Sequence, residues 1–182
     1  MKSTALFALA VALASLEAAA LTVEEAYAAI PHQRTAFEPK ASKLPPAQKE
    51  SLERLFRFSD RGVVLRVEGM RAQVTRDSVG LKRVLERYDQ LIESLESATL
   101  APEVAPARDR VAHALKIQRG FLASKPQGGM RFLPQELHAS AQVREASQDL
   151  HGAYGILMRA FPGEPARNQS SFFDHLCALD YL

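Results

Sequence analysis

Tryptophan is absent from the 182 residues, and cysteine occurs once, at Cys177. A single thiol closes no internal disulfide, so the usual staple of small exported domains is missing and packing has to hold the fold. Without indoles there is no stacked-indole platform for carbohydrate. Excess charge of one sign is missing too. Lys and Arg total 23 against 21 Asp and Glu, a net charge of +2. Arginines alternate with acids, as on a solvated helix surface. Such a balance leaves no strong electrostatic footprint for nucleic acid, which is excluded as a partner. Apolar runs long enough to span a bilayer, roughly 20 residues, are lacking beyond the first residues.

The strong catalytic and cofactor motifs are also missing. The chain contains no GxxxxGK[ST] phosphate loop, GxGxxG turn, GxSxG nucleophile elbow or HExxH zinc pair. No CxxCH occurs, so covalent c-type haem is not expected.

What is present begins with "MKSTALFALAVALASLEAAA". One positive charge, Lys2, precedes an apolar run from Ala5 to Leu16, and Ala18-Ala19-Ala20 closes it. A charged start, a short apolar core and a small-x-small end make a secretory signal peptide over residues 1–20. Cleavage after Ala20 makes Leu21 the first mature residue. Ala12-Leu13-Ala14 is a second small-x-small site but leaves a very short apolar core. The expected destination is the periplasm or the outside of a bacterium, with no transmembrane span in the mature chain.

Residues 21–46 read as a short helix followed by a strap. Thr22 and Glu25 form a capping box, and Pro31, Pro39, Pro45 and Pro46 then break any regular element. From 47 to 182 the pattern is helical. Leu52, Phe56, Ser59, Val63, Val67, Met70 and Val74 recur at steps of three and four. "GVVLRVEG", flanked by Gly62 and Gly69, also alternates like a strand, but the stripe runs through both glycines and favours a helix. A kink near 59–62 is consistent with the glycine penalty of about 1 kcal/mol. Asp77-Ser78 caps a second helix, with Leu81, Val84, Leu85, Tyr88, Leu91, Ile92 and Leu95 on one face. A third spans about 107–123. "SKPQGGMRFLP" breaks the chain, and a fourth helix runs from Pro134 towards Phe161. Ser170 or Ser171 caps a last short one. Together these predict an all-α fold: an antiparallel four-helix bundle with short N- and C-terminal helices.

Candidate site residues are few. His175 and Cys177 close the chain in "FFDHLCALDYL" and offer an imidazole and a thiolate to a soft metal. The plainer alternative packs Cys177 against Phe173 as a small hydrophobe, with Asp174 and His175 facing water. An intermolecular disulfide is the third option. Asp109 and His113 stand four apart on the third helix and can present a carboxylate and an imidazole to one ion, or simply stabilise the helix. His32 and Arg34, in "IPHQRTAF", form a polar patch where the first helix ends; Arg34 can clamp a carboxylate or phosphate. With no catalytic constellation, the sequence points to non-enzymatic binding or structural interaction, with another protein or a second copy as partner. The alternative is a carrier of metal or a small ligand that uses His, Cys and Asp side chains.

Overall fold

The computed structural model describes residues 21–124 and 132–182, so the signal-peptide reading of 1–20 lies outside the described residues. Most of the glycine-rich breaker lies outside them as well. Seven helices and no strand occur among those described: α1 (Val23–Ala28), α2 (Pro46–Thr75), α3 (Ser78–Glu96), α4 (Ala105–Ser124), α5 (Pro134–Ala139), α6 (Ala141–Ala160) and α7 (Ala166–Cys177). No described helix is long and apolar enough to cross a membrane.

The first helix starts on its capping box: Glu25 N–H donates to the Thr22 hydroxyl, and Thr22 N–H to the Glu25 carboxylate at 2.8 Å. α2 is one helix of 30 residues and includes the whole valine-rich run, which decides helix over strand. Its glycines mark where other elements come close. A Cβ at Gly62 would lie 2.6 Å from Leu179 Cδ2, and one at Gly69 would lie 2.7 Å from Leu122 Cδ1. Arg76 ends the helix in the left-handed region at φ 60°. Asp77 then caps α3 by accepting from Gly80 N–H at 2.8 Å. The α3 stripe is buried as its spacing predicts, except that Leu85 is half-buried.

Three boundaries differ from the sequence expectation. The last helix starts at Ala166, after Pro165, so Ser170 and Ser171 lie inside it and do not cap it; the Ser171 hydroxyl donates back to the Asn168 carbonyl. α4 starts at Ala105 and takes Pro106 into its first turn, where a missing N–H leaves no bond unmade. The single helix expected from Pro134 to Phe161 is two. Ser140 turns extended, with ψ 121°, and its hydroxyl caps α6 by accepting from Val143 N–H. A serine that bonds its own backbone offers the chain this alternative to continuing the helix.

The long helices meet in sequence: α2 packs on α3, α3 on α4, and α4 on α6. α7 contacts both α6 and α2, and α1 lies along α2. Leu52, Leu55, Tyr88, Leu91, Leu115 and Leu150 are fully buried in the common core. The C-terminal helix is part of that core, not a cover over it. Phe172, Leu176, Ala178 and Leu179 are all 0 % exposed.

Candidate functional site: a buried polar junction beneath the strap

Asp60 lies on the buried side of α2, four residues after Phe56. Its carboxylate draws in three other segments. Tyr27 of α1 donates its hydroxyl to Oδ1 at 3.1 Å. Arg34 of the strap donates Nη2–H to Oδ2 at 2.6 Å, with Nε 3.3 Å from both oxygens. His175 of α7 places Nε2 3.7 Å from Oδ1. Its Nδ1 lies 2.8 Å from the Ser171 carbonyl, which makes Nδ1–H the donor. The Phe56 ring stacks on the imidazole, with centroids 4.6 Å apart.

The electrostatics follow from burial and charge. Burial lowers the pKa of His175, against the opposing pull of Asp60, and keeps the imidazole neutral. Burial first, and Asp60 second, push the Tyr27 phenol far up. The bond to Asp60 raises Arg34 further. A buried carboxylate bonded by a phenol and an arginine is thereby satisfied in place.

The strap is stitched on by further bonds. Thr35 N–H donates to Asp174 Oδ2 at 3.1 Å, Glu38 N–H to Asn168 Oδ1 at 2.9 Å, and the Ser42 hydroxyl to Glu164 Oε1 at 2.8 Å. Phe37 packs edge-on against Phe56 and stacks on Phe172.

One turn further along, α7 ends and its carbonyls need donors. Buried Arg66 of α2 donates Nη1–H to Ala178 O at 2.6 Å, and Gln118 of α4 donates Nε2–H to Leu179 O at 2.7 Å. The Arg66 guanidinium also lies over the Tyr181 ring at 5.0 Å. Burial lowers the Arg66 pKa. Asp180 accepts from the Ser147 hydroxyl at 2.5 Å.

The structure brings two of the six sequence candidates together at this junction, and buries or half-buries two more. Arg34 and His175 meet at Asp60. His32 is half-buried, and burial and Arg66 lower its pKa. Cys177 is buried, and burial, reinforced by Asp180 and Asp174, pushes its thiol up to about 12. The packing expected for the tail is reversed at two positions: Phe173 is 45 % exposed and His175 only 3 %. Phe173 instead sets its edge against Tyr154. The cause is the helical stripe of α7, whose inward face runs through Asn168, Ser171, Phe172, His175 and Leu176.

Asp109 and His113 lie elsewhere and do not pair with each other. Asp109 bonds Arg108 at 2.7 Å. His113 Nδ1 lies 2.5 Å from Asp149 Oδ2 on α6, and Arg110 holds the other oxygen at 2.7 Å. This cluster lines an open depression of about 450 Å³. No group of three or more His, Cys, Asp or Glu that could hold a metal occurs among the described residues.

Sequence reasoning missed Asp60, Tyr27, Asp149 and Glu68. For Asp60 there was a signal: an acid four residues after Phe56 on an apolar stripe. The partners of the others come from distant helices, and spacing carries no trace of them. A groove between α2 and α3, of about 480 Å³, was also invisible; Glu68, Arg71, Ala72, Arg83, Val84 and Arg87 line it.

Fold and junction together define an all-helical protein whose N-terminal strap is clamped to its C-terminal helix. Comparison with protein-family models, curated proteins and solved structures finds no match.

Proposed function

We propose that this is an exported bacterial protein, periplasmic or secreted, that works by binding or structural interaction and not by catalysis. In this reading α2, α3, α4 and α6 form an antiparallel four-helix bundle, with α7 set between α6 and α2. The partner is another protein or a second copy. One observation carries the reading: the groups capable of chemistry at the junction are spent on one another. Asp60 is neutralised by Arg34, the His175 Nδ1–H is committed to a carbonyl, and the Cys177 thiol is held up near 12, far from a reactive thiolate.

A carrier of a metal or small ligand is the second reading. It is favoured by the meeting of Arg34 and His175, far apart in the chain, at one carboxylate. Native mass spectrometry of the protein exported by its own host, without reductant, separates the two. A bare monomer, or a non-covalent assembly unchanged by Cys177→Ser, supports interaction. A bound ion or small ligand lost on Cys177→Ser overturns it in favour of the carrier. A covalent dimer abolished by the same change makes Cys177 an intermolecular disulfide.

A further inference from the structure

The first described residue is tied down. Leu21 N–H donates to Glu68 Oε1 at 2.9 Å, and the other oxygen, Oε2, accepts from Arg87 Nη1. Glu68 stands on α2 and Arg87 on α3, and the Glu68 side chain is only 13 % exposed. Leu21 itself packs against the main core. α1 begins immediately afterwards on its own capping box, so the backbone nitrogen of Leu21 has one fixed position.

That nitrogen is the one the leader reading would free. In the uncut chain it is a neutral amide that offers a single N–H. Cleavage adds water across the Ala20–Leu21 peptide bond. The hydroxyl goes to the Ala20 carbonyl carbon and the proton to the leaving nitrogen. At neutral pH the products are a carboxylate on the leader and an ammonium on Leu21. The export peptidase, a hydrolase specific for small residues, supplies the catalysis.

We propose that Glu68 is a built-in socket for the new amino terminus: cleavage after Ala20 turns a neutral amide contact into a charge-assisted Leu21 ammonium–Glu68 pair, which locks α1 and the strap onto α2. Charge-assisted bonds are roughly twice as strong as neutral ones. Glu68 holds the position because Arg87 orients its carboxylate from the neighbouring helix. One carboxylate then faces two cations, a guanidinium and an ammonium, at the edge of the α2–α3 groove. The proposal rests on the export reading, through the position of the cut.

Two measurements keep the failures apart. Intact mass and N-terminal sequencing of the host-exported protein locate the cut. A start at Leu21 is expected; a start elsewhere overturns the cut after Ala20 and, with it, the proposal, and an uncut chain overturns the leader reading as well. The pair is then tested on chains released from a removable fusion partner so that they begin at Leu21 or at Ala20, each with Glu68 or with Glu68→Gln. The extra alanine turns the Leu21 ammonium back into an amide. With Glu68 present, the Leu21 chain should melt about 2–4 °C above the Ala20 chain, the shift that a pair of this kind gives in a domain of this size. With Glu68→Gln the difference should vanish. Equal melting temperatures with Glu68 in place, or a difference that survives Glu68→Gln, would overturn the socket even where the cut is at Leu21. The comparison depends on a coupling between two changes, so a general loss of stability in Glu68→Gln does not mimic it.

Discussion

At Asp60 and His175 the chain buries ionisable groups, and each side chain makes sense only through its neighbours. Asp60 is bonded by Arg34 and Tyr27. His175 stays neutral because burial outweighs the pull of Asp60. The groups facing it are Asp60 on α2, Arg34 on the strap and Asp174 on its own helix. This neutrality has a sign. In the unfolded chain His175 takes a proton near its ordinary value of 6.5, whereas the folded chain takes it only at lower pH. Between those values the unfolded state binds more protons, so stability is present above about 6.5 and is lost as pH falls through the lower, folded value. Urea unfolding between pH 7 and pH 5 should show that loss. His175→Gln should show a shallower one, whatever its stability at pH 7. Parallel slopes for the two proteins would mean that His175 is not held neutral. Half-buried His32, also lowered, contributes in the same direction and remains in both proteins.

The glycines show the same dependence at the scale of helices. In an isolated helix each costs about 1 kcal/mol relative to alanine, and by that rule α2 should have kinked. It runs unbroken because Gly62 and Gly69 are where the tail after α7 and α4 come closest. Gly120 on α4 differs: a Cβ there meets nothing within 4 Å. Gly120→Ala is therefore expected to stabilise by about 0.5–1 kcal/mol. At Gly62 the added carbon would sit 2.6 Å from Leu179 Cδ2 and 3.1 Å from Leu115 Cδ2, both on fully buried leucines. Overpacking costs about 1–3 kcal/mol, so Gly62→Ala should lose about 1–2 kcal/mol net. Urea midpoints of the two variants should move in opposite directions. A gain at both sites would show that the contact at Gly62 yields easily.

Across the whole molecule, the two ends of the chain close the fold together. The strap lies on α7 through Asp174 and Asn168 and on the turn before it through Glu164, and Phe37 joins the Phe56–Phe172 cluster. α7 in turn fills the core between α6 and α2. A chain stopped before Phe172 loses that residue, Leu176 and Leu179, each worth about 1.5–3 kcal/mol when buried. It also strips buried Arg66 and Gln118 of their acceptors, at about 1–3 kcal/mol for each. The sum is comparable to the 5–15 kcal/mol that holds a domain together. The truncated chain should therefore show no cooperative urea transition by circular dichroism. A transition near the full-length midpoint would make α7 a dispensable cover.

Sequence alone determined the all-helical class, the capping box at Thr22, the α3 stripe and the helical state of the valine-rich run. Each of these is written in neighbours three or four residues apart, the distance over which a helix is specified. Ser140 was legible in principle, since a serine competes with the helix it interrupts, but an apolar stripe on both sides concealed the break. Tertiary structure alone decided the rest. Arg34 and His175, far apart in the chain, meet at one carboxylate. His113 pairs with Asp149 and not with Asp109. The tail is largely core, Phe173 and Leu182 excepted, because α7 turns Phe172, His175 and Leu176 inward together. Spacing reports which residues share a helix face. Which face meets which is set by burial, and by the need of each buried charge and carbonyl for a partner that only the folded chain can supply.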